Sequence, residues 1–245
     1  MAWFETSLRY LHVIFGFAGL AAFWIPVLSR KGGPNHIRYG TIFVRCAWVV
    51  LVSAFVAVCY HLIKLNLSGV TLADRPQTYA FLVFLGYLAL VTWINIRHSI
   101  GVLKSKADPA ALATPLNLML GRIAIASSVF LIAFAVWLRP GNMIVLLALS
   151  PIGLGTGGGI LKYCKSPPVS RHQWLYEHLG GMIGAGIAFH TAFAVFGSRQ
   201  LFDYNFDGWI GVVPWVLPAA VGIPAITLWT RRYRRQFGEL GGEAS

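Results

Sequence analysis

Residues 81–96 read FLVFLGYLALVTWINI, sixteen positions without a charge. As a helix this run covers about 24 Å at 1.5 Å per residue. That is most of the roughly 30 Å hydrocarbon core of a bilayer. Apolar side chains occupy every face of such a helix, the pattern of a membrane span or a fully buried segment. Extended to 77–98, the run reaches spanning length. Six more runs of similar character follow the same logic, at 6–29, 39–64, 117–138, 141–162, 173–197 and 208–230. Composition agrees. Of 245 residues 57% are hydrophobic and only 11% charged, with a mean hydropathy of +0.66. Soluble domains carry about 25% charged residues. The predicted fold is an all-α bundle of seven transmembrane helices, a single integral membrane domain over residues 1–245.

The run at 141–162 differs from the others. It contains MIVLLALSPIGLGTGGGIL, in which Pro151 and five glycines interrupt the apolar pattern. Irregular backbone at membrane depth must be buried in protein or line a cavity. A broken or closely packed helix is expected there. The start, MAWFETSLRYLHV, lacks a basic n-region and a small-residue cleavage site, so the first run is expected to persist as a helix. The three cysteines, Cys46, Cys59 and Cys164, form no metal or disulfide spacing.

A net charge of +12 suggests nucleic acid at first sight. The cations flank apolar runs, however, except for Arg45 and Arg122 inside two runs near their inner ends, and the positive-inside bias accounts for them without a nucleic-acid partner. With the N-terminus outside, thirteen of the 20 Lys and Arg residues fall in the inner loops and the C-terminal tail. The outer side holds five, Arg9, Lys64, Arg75, Arg139 and Arg199, beside Asp74, Asp203 and Asp207. The expected topology is N-terminus outside and C-terminus cytoplasmic, in a bacterial inner membrane. The tail TRRYRRQFGELGGEAS suits anionic lipid.

Ionisable residues within membrane spans are costly and therefore mark candidate sites. On this topology the histidines sort into two layers. His12, His61 and His190 fall toward the outer side, while His36, His98, His172 and His178 fall toward the inner. Imidazole ligates haem iron, zinc and copper, and it relays protons. His12, His36, His61, His98, His178 and His190 are thus candidate cofactor ligands. The outer trio His12, His61 and His190 has the composition of an open zinc or copper site. His178 and His190 lie about 18 Å apart along one helix and point about 120° apart, so one helix can serve two sites but not on one face. The alternative for each histidine is plain: solvation at an interface, or a bond to a neighbouring helix.

Glu177 precedes His178 in WLYEHLGG and needs a partner at depth. Arg45 and Arg122 are candidates, as is a supporting role behind a histidine ligand. Gly180, Gly184 and Ala188 recur at four-residue spacing, the signature of close helix packing. A flat glycine face also admits a planar cofactor. GTGGG at 155–159 has no following Lys-Ser/Thr and no preceding strand, so nucleotide binding is set aside.

The loop KGGPNH at 31–36 sits between two apolar runs and raises its own question, since two glycines, a proline and a histidine are more than a turn needs. KGG-x-x-H followed by Gly40, and His178-Leu179 followed by Met182 and ending Thr191-Ala192-Phe193, resembles a family of bacterial polytopic membrane proteins of unknown function. The likeness is strongest over residues 10–60 and 174–193. It implies His36 and His178 as a pair toward the inner face. More distantly the plan is similar to membrane b-type cytochromes, in which histidines on separate helices clamp haem.

The leading expectation is a redox protein centred on haem b, zinc or copper, with electrons passing between the histidine layers. The alternatives are a small-solute transporter using histidines as proton or substrate contacts, an accessory subunit packed in a larger membrane complex or a homo-oligomer, and a zinc hydrolase acting on lipid.

Overall fold

The computed structural model describes residues 2–166, 169–197 and 208–240. Arg199, Asp203 and Asp207, assigned above to outer loops, lie outside the described residues. Those described form helices and no strand. The helices are α1 (Ala2–Leu28), α2 (Pro34–Leu67), α3 (Pro76–Lys104), α4 (Pro115–Leu138), α5 (Met143–Leu149), α6 (Pro151–Lys165), α7 (Gln173–Ala192) and α8 (Val213–Gln236). A π-turn at Phe193–Gly197 extends α7, and a 3-10 turn at Gly208–Val212 leads into α8. Seven stretches are long and apolar enough to cross a membrane, the fifth made of α5 and α6 together. The expected seven-helix all-α membrane fold is therefore observed.

The chain forms two compact units, Met1–Ile94 with Ile123–Gly157, and Asn95–Arg122 with Gly158–Ser245. In the first, α1 packs along α2, with Phe23 against Phe43 at 5.4 Å between ring centres. Glu5 and Lys64 close the far end of this pair at 2.6 Å. The connection between the two helices answers the question of the KGGPNH loop. The last carbonyls of a helix have no intrahelical partner. Lys31 Nζ donates to the carbonyls of Pro26 and Val27 at 2.8 and 2.7 Å, and His36 Nδ1 donates to Pro26 O at 3.1 Å. Gly32 turns the chain at φ +74°, a conformation that favours glycine. Pro34 then opens α2, where its missing N–H costs nothing. Cations at a helix C-terminus also meet the negative end of its dipole. The loop is thus a C-terminal cap for α1, and α2 begins five residues earlier than hydropathy alone suggests, because its first turn is polar. Burial lowers the pKa of Lys31.

The fifth crossing is indeed broken. Pro151 has no N–H to offer Leu147 O, and the Ser150 hydroxyl donates to that carbonyl instead, at 3.0 Å. Two residues on, Gly153 packs so closely that a Cβ would overlap the Ser128 hydroxyl and come within 2.5 Å of Ala124 O. Both expectations for this run, a break and close packing, describe the same point.

In the second unit α7 packs on α8. Gly180 faces Ile226, where an added Cβ would find ordinary contact at 3.7 Å, whereas a side chain at Gly222 would collide with Ile187. Asn117 ties the α3–α4 connection, accepting from Arg97 and donating to Leu112 O at 2.8 Å.

Candidate functional site

The second unit brings together the residues with the most unusual surroundings. α3 supplies His98, α6 supplies Tyr163 and Cys164, and the first turns of α7 supply Gln173 and Glu177. His98 is 9% exposed and Tyr163 6%, and their rings meet edge to face at 5.5 Å and 83°. His98 Nε2 lies 3.9 Å from Glu177 Oε2. That gap is too long for a direct hydrogen bond. Gln173, one turn before Glu177, donates to its Oε1 at 3.1 Å. Glu177 also lies within electrostatic reach of Tyr163 and Cys164.

Three polar atoms in this cluster are buried without a hydrogen-bond partner: His98 Nε2, Tyr163 Oη and Gln173 Oε1. Each such atom costs about 1–3 kcal/mol of desolvation when unmet. Together they form a set with complementary needs. The tyrosine hydroxyl can donate, the glutamine oxygen accepts, and the imidazole nitrogen does either according to its proton. The Glu177 side chain keeps 26% of its surface exposed, so the cluster is not fully enclosed.

A seam between α3 and α7 fixes these groups. His178 Nδ1 donates to Ser99 O at 2.9 Å, and Asn95 Nδ2 donates to Gly181 O at 2.8 Å. A Cβ at Gly181 would overlap the Ser99 hydroxyl, and one at Gly184 would stand 3.3 Å from Asn95 Nδ2. The glycine face at this point is filled by α3 side chains. Gly180 turns to α8 instead, and Ala188, further along α7, is half-buried.

The remaining candidates have their own settings. His12 is bonded to Ser53 at 2.9 Å between α1 and α2. His61 is exposed and its ring meets Tyr60 edge to face. His190, in the second unit, donates back to Gly186 O at 2.7 Å. Among the described residues no three His, Cys, Asp or Glu side chains are grouped so as to hold a metal ion. Arg45 and Arg122 are exposed, and among the described residues Glu177 meets Gln173 and His98.

Sequence reasoning singles out His98, His178 and Glu177. It passes over Tyr163, Gln173 and Asn95. Gln173 carries a usable signal, since a glutamine four residues before a membrane-depth glutamate shares its helix face. No family model, no curated protein and no solved structure matches this chain.

Proposed function

We propose that this membrane protein handles protons at His98 and Glu177, as the proton-coupled centre of a carrier for a small polar solute. One observation carries the reading: a buried histidine 3.9 Å from a half-buried carboxylate, in a cluster with three partnerless polar atoms. A saturated cluster would be scaffolding. An unsaturated one is prepared for something that binds and leaves. Imidazole and carboxylate can share one proton, and a bridging hydroxyl, amine or water between them carries that proton across. A solute seated there would accept from the Tyr163 hydroxyl and donate to Gln173 Oε1. The exposed side of Glu177 gives the proton its route in and out.

The test is proton movement in vesicles. Full-length protein, reconstituted with a trapped pH-sensitive dye, is given an imposed pH gradient. The expected result is a proton leak reduced about tenfold or more in Glu177→Gln and in His98→Gln, with Arg9→Gln unchanged. Equal rates in all four proteins would remove the proposal.

A second reading is supported by a different observation. His36, His178 and His190 each donate Nδ1–H to a backbone carbonyl, at 3.1, 2.9 and 2.7 Å. That bond is the usual support of a histidine that ligates through Nε2. Haem b ligated by one of these histidines would make the protein a redox carrier. An oxidised-versus-reduced optical spectrum with metal analysis on the same sample distinguishes this from the proton reading. A sharp reduced band with stoichiometric iron favours the redox carrier.

A further inference from the structure

A cavity with charged and apolar walls lies where α7 begins and α8 ends. Its volume is about 470 Å³, and its walls include Ser170, Arg171, His172, Arg234, Phe237 and Glu239. That size falls within the roughly 300–1,000 Å³ typical of ligand pockets. From these walls we infer that the cavity holds the phosphate of an anionic lipid headgroup.

The argument begins with the chain end. Gly238, at φ +69°, reverses the backbone after α8. Gly238 N and Glu239 N then donate to the carbonyls of Arg235 and Arg234, at 3.1 and 2.8 Å, which closes the helix end. This turn carries Glu239 back to α7. His172 Nδ1 meets Glu239 Oε1 at 2.8 Å, and the Tyr176 hydroxyl donates to Oε2 at 2.6 Å. The Phe237 ring stacks on His172 at 3.9 Å and 13°. Both oxygens of the carboxylate in the cavity wall are thus engaged within the protein.

The donors that remain point to an anion. Arg234 lies over the Tyr176 ring at 5.0 Å, and its Nε is buried with no hydrogen-bond partner. The buried Ser170 hydroxyl stands beside it, close enough to act on the Glu239 carboxylate as well. A guanidinium N–H can only donate, so its complement is an acceptor, and its charge selects an anionic one. Arg171 adds a second cation. The first turn of the 20-residue helix α7 contributes its positive dipole end. Apolar Val169 and Phe237 stand exposed beside these donors, as suits a ligand with a charged head and a hydrocarbon body. Both helices are long and apolar enough to cross a membrane, and a cavity at their shared end would lie at headgroup level. The sequence alone suggests a diffuse attraction of tail arginines for anionic lipid. The cavity is a more specific device, since it recruits Ser170 and Arg171 from the other side of the turn.

The test is lipid retention by the full chain. Protein is reconstituted in mixed phosphatidylglycerol and phosphatidylcholine, extracted in mild detergent, and its bound lipid read by native mass spectrometry. Selective retention of phosphatidylglycerol is expected, weakened about tenfold in Arg171→Gln/Arg234→Gln. Arg234→Lys, which keeps the charge but loses the Nε donor, should be intermediate, and Arg9→Gln should match the wild type. Equal retention by the wild type and the double variant would overturn the site. So would retention of phosphatidylcholine as strong as that of phosphatidylglycerol. Displacement of the lipid by millimolar inorganic phosphate would identify free phosphate as the ligand and overturn the lipid assignment.

Discussion

Two buried polar clusters, one in each unit, contain a tyrosine against a helix of the broken or neighbouring crossing, yet they are built on opposite terms. Around Tyr87 every polar atom is met. Its hydroxyl donates to Ser150 O at 2.5 Å, accepts from Gly153 N at 2.9 Å and meets the Ser128 hydroxyl at 3.1 Å. Gly153 sits in the first turn of α6, where N–H groups have no intrahelical partner. Tyr87 therefore caps α6 from the side and holds the break in the fifth crossing together. Around Tyr163 the hydroxyl, His98 Nε2 and Gln173 Oε1 all lack partners, next to a carboxylate. A membrane interior punishes unmet polar atoms severely. A full complement of bonds marks structure; the deficient one is what the proposed proton exchange rests on.

The sharpest way to break this comparison is to remove the same atom from both clusters. Tyr87→Phe leaves Gly153 N–H and Ser150 O without their partner and should cost about 3 kcal/mol of stability, read by denaturant unfolding in detergent. Tyr163→Phe removes an atom that bonds to nothing in the protein, so its cost should stay below about 1 kcal/mol, while proton leak in vesicles falls. Equal losses would erase the distinction.

A smaller effect is expected from glycines on one helix. Gly181→Ala should cost about 2 kcal/mol, because the new methyl meets Ser99 in the seam that holds His98 in place. Gly180→Ala meets only Ile226 at ordinary contact distance and should be near neutral.

The Glu239 latch provides a pH test of a third polar cluster. Burial alone would raise the Glu239 pKa, but the bonds from Tyr176, His172 and Ser170 hold it below the ordinary carboxylate value. A carboxylate whose folded pKa is depressed stabilises the protein above its unfolded pKa, and that contribution is lost as pH falls through the folded value. Thermal stability should therefore decline on the acid side of the carboxylate range, and Glu239→Gln should flatten that decline. The smallest change should follow Glu5→Gln, which breaks a solvent-facing pair with Lys64 and is expected to leave the unfolding midpoint unaltered.

Much of the fold is legible in hydropathy, because a bilayer imposes one length and one composition on each crossing. Pro151 announces the break in the fifth. The polar first turn of α2, from Pro34, and the end of α3 out to Lys104 are not legible, since helix beyond the hydrocarbon carries no apolar signal. The site divides along the same line. His98, His178 and Glu177 stand out as ionisable groups within apolar runs. Tyr163, Tyr87 and Ser128 do not, because a hydroxyl barely alters hydropathy and its importance depends on which helix lies opposite. Glu177 draws attention toward arginines, whereas its neighbours are a glutamine one turn away and a histidine on α3.

The central claim is that Glu177 and His98 form one exchangeable-proton centre. Infrared difference spectroscopy of the full chain in lipid, between acidic and basic pH, tests it most directly. The account expects a carboxyl band that disappears in Glu177→Gln and changes in His98→Gln, while Tyr87→Phe, measured under conditions where it stays folded, leaves it in place. A difference spectrum identical in the wild type and Glu177→Gln would contradict it.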